Sequence, residues 1–210
     1  MLYNGPVGSD RKAGLIRVAG LDPARCTGYA ILELEPPAHG AILVQGEWEA
    51  HENPLCCLPD FAREIFENYK PQLVCIEAQF YGRNVRTLRR LAELAGAFKY
   101  VALQFVDVSQ IVDIEPRSVK ARFAAHGGAD KMVVQRAVKA CYGITVGQNA
   151  ADAIGIAYAG AVMHTEETRA RERLQRTVKS PAELELVSRL RALGCKPAVA
   201  LKMAGAAVVK

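Results

Sequence analysis

The order of periodicities along the chain predicts a mixed α/β fold, a central sheet flanked by helices, with a basic helical extension at the C-terminal end. Three observations carry this expectation. Strand-like runs open the chain, short apolar strands then alternate with helical stretches, and positive charge gathers after residue 162. At 210 residues the chain is long enough to bury a core without a disulfide or metal staple.

Each element has a local reason. Residues 15–21 form a first strand, which Asp22-Pro23 ends because proline cannot donate to a ladder. Residues 28–34 give a second, apolar at Tyr29, Ile31 and Leu34 and closed by Glu35-Pro36-Pro37. Residues 41–48 complete an antiparallel meander. A helix over 59–69 sets Phe61, Ile65 and Phe66 on one face, and 73–77 reads as a strand of the fully buried kind. Helical spacing runs through Leu88, Leu91, Leu94 and Phe98 over 85–105, and 111–114 is a further strand. Helices over 116–125 and 130–142 are split by Gly127-Gly128, and one rich in small residues follows over 149–164. Residues 165–177 make a charged helix or linker, and Ser180-Pro181 opens a last helix. The expected domains are therefore 1–165 and a basic extension, 166–210.

Composition narrows the class. Half the residues are hydrophobic and 23% are charged, which excludes a disordered or fibrous chain. No run approaches the roughly 18 apolar residues of a membrane span, and the first residues contain no apolar export segment. The six cysteines show no CxxC pair, so reduced thiols in a cytoplasm are expected rather than a metal site. The net charge is +5, and residues 163–210 hold all of it: ten basic residues against five acidic, beside a body that is neutral overall. A basic tail on a neutral body suits an acidic partner, most commonly nucleic acid, although a solvated helix would have the same composition.

The informative residues are acids at strand ends. Asp22 closes the first strand and Glu77 closes the fourth. A carboxylate ending a buried strand is costly unless it is solvated, paired or bound to a cation, and strand ends are where α/β sheets bind ligands. Asp152 adds a third acid in a helix otherwise built from Ala, Gly and Ile, with Asn149 three residues earlier on the same face. Three carboxylates and an amide oxygen form an all-oxygen shell suited to Mg2+ or Mn2+. Two such ions suit phosphodiester hydrolysis.

Gly20-Leu21-Asp22-Pro23, Thr27-Gly28-Tyr29-Ala30, Ile76-Glu77 and Asn149-Ala150-Ala151-Asp152-Ala153, in this order, resemble the RuvC-type Holliday-junction resolvases of the ribonuclease H-like nuclease superfamily. The resemblance covers about residues 15–164. It implies a ribonuclease H-like fold and a homodimeric, Mg2+-dependent endonuclease that cuts four-way DNA junctions, with two ions per site and Mn2+ as a substitute. Asp22, Glu77 and Asp152 are then metal ligands, and Asn149 stands where the family usually has another acid. Phe80 matches the aromatic residue the family places near the junction centre, and Lys120 and Lys131 match basic positions flanking its site. The implied location is the cytoplasm of a bacterial or phage-infected cell. Beside Phe80, Arg83, Arg86, Arg89 and Arg90 open the long helix. An aromatic next to arginine can stack on an unpaired base, yet Phe80 would also fit a core, and the arginines and lysines would also fit a solvated face.

Two other readings keep this fold: a junction-binding protein with weak or no cleavage, because Asn149 removes a charge, and a related nuclease acting on RNA or other branched DNA. A sugar-kinase or actin-like phosphate-binding fold shares the first hairpin pattern. It is disfavoured by Pro23-Ala24 in place of a glycine and by the short chain.

Overall fold

The structure is a computed structural model that describes residues 14–50, 53–79, 84–124, 132–177, 181–195, 199, 200 and 203. Five strands form one mixed sheet in the order β3-β2-β1-β4-β5. β1 (Ile16–Asp22), β2 (Cys26–Leu34) and β3 (Ala41–Glu49) are the antiparallel meander. β4 (Leu73–Glu77) and β5 (Ile111–Ile114) add in parallel on the other side of β1. Parallel neighbours need crossover connections, and the helices α1 (Pro54–Tyr69) and α2 (Val85–Ala102) provide them.

α1 and α2 cover one face of the sheet. Ala19, Leu21, Ile31, Val74 and Ile76 point into a core with Leu58, Ala62, Ile65 and Phe66 of α1 and Leu94, Phe98 and Val101 of α2. Burying a side chain such as Phe66 or Phe98 contributes roughly 1.5–3 kcal/mol. Arg17 is buried at the edge of this core. Its Nε donates to Glu33 Oε1 at 2.8 Å and its Nη1 to the Tyr69 carbonyl at 3.1 Å, which pins the end of α1 to β1.

The opposite face carries α5 (Gln148–Thr177), following α3 (Pro116–Phe123) and α4 (Met132–Tyr142). This contact depends on missing side chains. A Cβ on Gly20 of β1 would overlap the Ala153 carbonyl, and one on Gly28 of β2 would overlap that of Asn149. A Cβ on Gly160 of α5 would in turn overlap Cys75 Sγ of β4. The small residues of α5 thus lower its first half onto the sheet, and Ala150, Ala153, Ile154 and Ala157 are buried there.

Several boundaries differ from the sequence expectation. α1 begins at Pro54, not residue 59, because Asn53 caps it through Leu55 N (3.2 Å) and Pro54 fits the first turn; Pro59 is carried inside the helix. α2 stops at Ala102, after which a tight turn brings Phe105 edge-on to Phe66 at 5.7 Å. α5 continues to Thr177, so 165–177 is helix. Of the expected stripe on α2, Leu94 and Phe98 are spent in the core, while Leu88 and Leu91 are half-buried and Val85 is exposed.

The chain divides into two compact units, Met1–Val162 and Met163–Lys210. The second contains α6 (Pro181–Ala192). Val187 and Ala200 are buried there among Leu186, Leu190 and Cys195, whereas Leu193 is exposed. Among the described residues, no helix is long and apolar enough to cross a membrane.

Candidate active site

Strand register builds the site. Leu21 pairs with Ile76 in the parallel ladder, so Asp22 and Glu77 end adjacent strands at one level. Asp22 also opposes Gly28, and Gly28 opposes Glu47. Cross-strand neighbours project to the same side, so Glu47, Asp22 and Glu77 form a row of carboxylates facing α5. The hairpin between β1 and β2 is fixed by buried Thr27, whose Oγ1 donates to the Ala24 carbonyl at 3.0 Å.

Asp22 and Glu77 lie within hydrogen-bonding reach, and two carboxyl groups can hydrogen-bond only around a proton. Burial, the charge of Glu77 and that hydrogen bond push Asp22 up to about 8. Burial raises Glu77 as well. The hydrogen bond from Asp22 and the Lys120 charge oppose that rise, while the charge of Asp152 adds to it. Asp152 approaches from the first turns of α5. Together with Glu77, Lys120 of α3 and Gln148 it lines a cavity of about 180 Å³, closed by Pro116, Val119, Val134 and Ile156.

The structure therefore brings Asp22, Glu77, Asp152 and Lys120 to one end of the sheet. Asn149 is placed differently. It is the second residue of α5, its backbone N–H donates to Glu47 Oε1 at 3.1 Å, and its side chain hydrogen-bonds Cys26 rather than the acids. Arg86 is exposed in the first turn of α2, which Asn84 caps by accepting from Arg86 N (3.0 Å) and Thr87 N (3.2 Å). Arg89 pairs with Glu93 one turn later at 3.0 Å. Phe80, Arg83 and Lys131 lie outside the described residues.

Two residues at the site escape sequence reasoning. Gln148 has a signal, its i, i+4 spacing from Asp152. Glu47 has none, because only the sheet register brings it level with Asp22.

The donor set fits a hard divalent cation. Two half-buried acids side by side, one pushed up by burial and by the other, with Asp152 adding its charge at Glu77, are a site in which a cation can replace a proton. Among the described residues, no three or more His, Cys, Asp or Glu side chains are gathered closely enough to hold a metal ion as they stand. Asp22 and Glu77 end adjacent strands, and Asp152 lines one cavity with Glu77.

The profile of the RuvC family, described as crossover junction endodeoxyribonuclease RuvC, matches residues 18–177. The crossover junction endodeoxyribonuclease RuvC of Bdellovibrio bacteriovorus is 30% identical over 169 residues, 77% of this chain and 96% of that protein. The protein of the same description from Brachyspira hyodysenteriae is 31% identical over 150 residues, 68% of this chain and 91% of its own length. The fold is that of T. thermophilus RuvC, solved in complex with a Holliday junction substrate. The match has a TM-score of 0.66 at 22% identity and covers 73% of this chain and 97% of that one. With the family profile spanning most of its length and relatives matched over nearly their whole length, the chain belongs to the RuvC family of crossover junction endodeoxyribonucleases.

Proposed function

We propose that this chain resolves four-way DNA junctions by metal-dependent phosphodiester hydrolysis. The observation that carries the reading is the strand register that ends β1 and β4 side by side at Asp22 and Glu77, with Glu77, Asp152 and Lys120 lining one small cavity. Asp22, Glu77 and Asp152 would hold Mg2+, with Mn2+ as a substitute, in two positions. When bound, such ions activate the attacking water and neutralise charge on the leaving oxygen. Lys120 offsets negative charge beside Glu77 and on this reading would meet the scissile phosphate. Asn149 serves as a neutral fourth ligand only once its side chain turns from Cys26 towards the acids.

Phe80 stacks at the junction centre on this reading, and Arg83, Arg86 and Lys131 contact phosphates. Resolution needs two symmetric cuts, which a twofold homodimer supplies. Val85, Leu88 and Leu91 of α2 remain available for such pairing. The test is incubation with a labelled four-way junction, a flap and an RNA–DNA hybrid, each in Mg2+ and in Mn2+. Paired symmetric nicks in the junction are expected. Preferential cutting of the hybrid, or junction binding without any nick in either metal, overturns the reading.

A further inference from the structure

Glu47 ends the acidic row but belongs neither to the proposed metal ligands nor to the DNA contacts. Its contacts are unusually directed for a side chain on an edge strand. Oε1 accepts from Asn149 N at 3.1 Å and from Ala150 N at 3.4 Å, two of the N–H groups that a helix start leaves unpaired. Oε2 accepts from Cys26 Sγ at 3.7 Å, and Cys26 in turn hydrogen-bonds the Asn149 side chain. Two glycines make the approach possible. A Cβ on Gly147 would overlap Glu47 Oε1, and one on Gly28 would overlap the Asn149 carbonyl.

We propose that Glu47 is a positioning residue for the metal site: from β3 it holds the first turn of α5, and so sets where Asp152 stands relative to Asp22 and Glu77. The proposal rests on the metal-dependent reading above. Asp152 sits two residues beyond Ala150, the last amide Glu47 holds, and one residue before Ala153, which rests on Gly20. Glu47 therefore fixes one side of Asp152 and the glycine seat fixes the other. A carboxylate suits the task because a helix N-terminus favours negative charge and because one carboxylate can accept from two amides. Sequence spacing alone offers no hint of it, since Glu47 and Asn149 are 102 residues apart.

The test compares Glu47→Ala and Glu47→Gln with the unaltered protein in three measurements. These are amide hydrogen exchange of the metal-free protein, calorimetric Mg2+ binding, and junction cleavage titrated with Mg2+. Glu47→Ala should speed exchange at Asn149 and Ala150 while Ala157, deeper in α5, keeps its rate. It should also raise the Mg2+ concentration for half-maximal binding and half-maximal cleavage by about fivefold, the factor expected from a lost helix cap. The shift should be larger in metal half-saturation than in kcat. Glu47→Gln keeps an acceptor oxygen and should fall between the two. Faster exchange with unchanged Mg2+ half-saturation makes Glu47 a cap and nothing more, and overturns the proposal. If Glu47→Ala does not fold, Glu47→Gln decides by the same comparison. If the unaltered protein cuts no junction, the functional reading fails, while exchange and calorimetry still decide the role of Glu47.

Discussion

Asp22 answers to two opposing demands. As the proposed metal ligand it must be ionised, yet in the metal-free fold burial and Glu77 push it up to about 8 from an ordinary 3.8. A carboxyl with a raised folded-state value stabilises the fold fully below the unfolded value and loses that contribution as pH rises through the folded one. Between pH 4 and 8 the native state holds the extra proton, so metal-free stability should fall as pH rises, by at most about 1.4 kcal/mol per pH unit for one proton. Asp22→Asn keeps a neutral group in place. It should flatten this dependence, raise the melting temperature at pH 8 in EDTA, and abolish cleavage while junction affinity survives, since affinity comes mostly from phosphate contacts. Thermal melts at pH 5 and 8, with binding and cleavage on one labelled junction, check both halves. Retained cleavage would remove Asp22 from the site.

At the scale of elements, α5 governs how closely the acids approach. Its seat on Gly28 leaves no room for a methyl group, because the contacting atom is the Asn149 carbonyl and not a movable side chain. Gly28→Ala should therefore lift the first turn of α5, lower stability by about 1–3 kcal/mol, and reduce cleavage more than junction affinity. Gly96→Ala serves as the control: its added methyl meets nothing within 4 Å, and helix propensity favours it. Equal losses of cleavage in both variants would count against the seat. These elements also show what a sequence can reveal. The apolar runs before Asp22 and Glu77 mark both as strand ends, and the small-residue pattern around Asp152 marks a helix that packs closely, because those signals are local. The start of α1 is not legible in the same way: Pro59 looks like a helix opening, while the actual cap, Asn53-Pro54, lies five residues earlier. Nor is Glu47, whose place depends on strand register, or the contact of the Asn149 side chain with Cys26, 123 residues away in sequence. Register and rotamer are settled by packing between distant segments, which periodicity does not record.

At the scale of the whole molecule, charge and chemistry occupy different parts of the chain. The acidic row belongs to the first unit, while residues 163–210 carry the entire net charge of +5. Deleting residues 166–210 should weaken junction binding and flatten its salt dependence, by about 0.9 in log–log slope for each phosphate no longer neutralised. Cleavage of bound junction should survive. Titrations at several salt concentrations measure this, and equal slopes for the two proteins would assign the extension to packing, as its buried Val187 also permits. The order of the acids along the chain has a consequence for how the protein is made. Asp22 and Glu77 lie on strands that form early in an N-to-C synthesis, whereas Asp152 arrives on α5, 130 positions after Asp22. A nascent or prematurely ended chain that stops short of α5 therefore lacks Asp152, one of the three proposed metal ligands. On the metal-dependent reading such a chain has no complete site, so the ability to cut DNA comes only with the helix that carries Asp152.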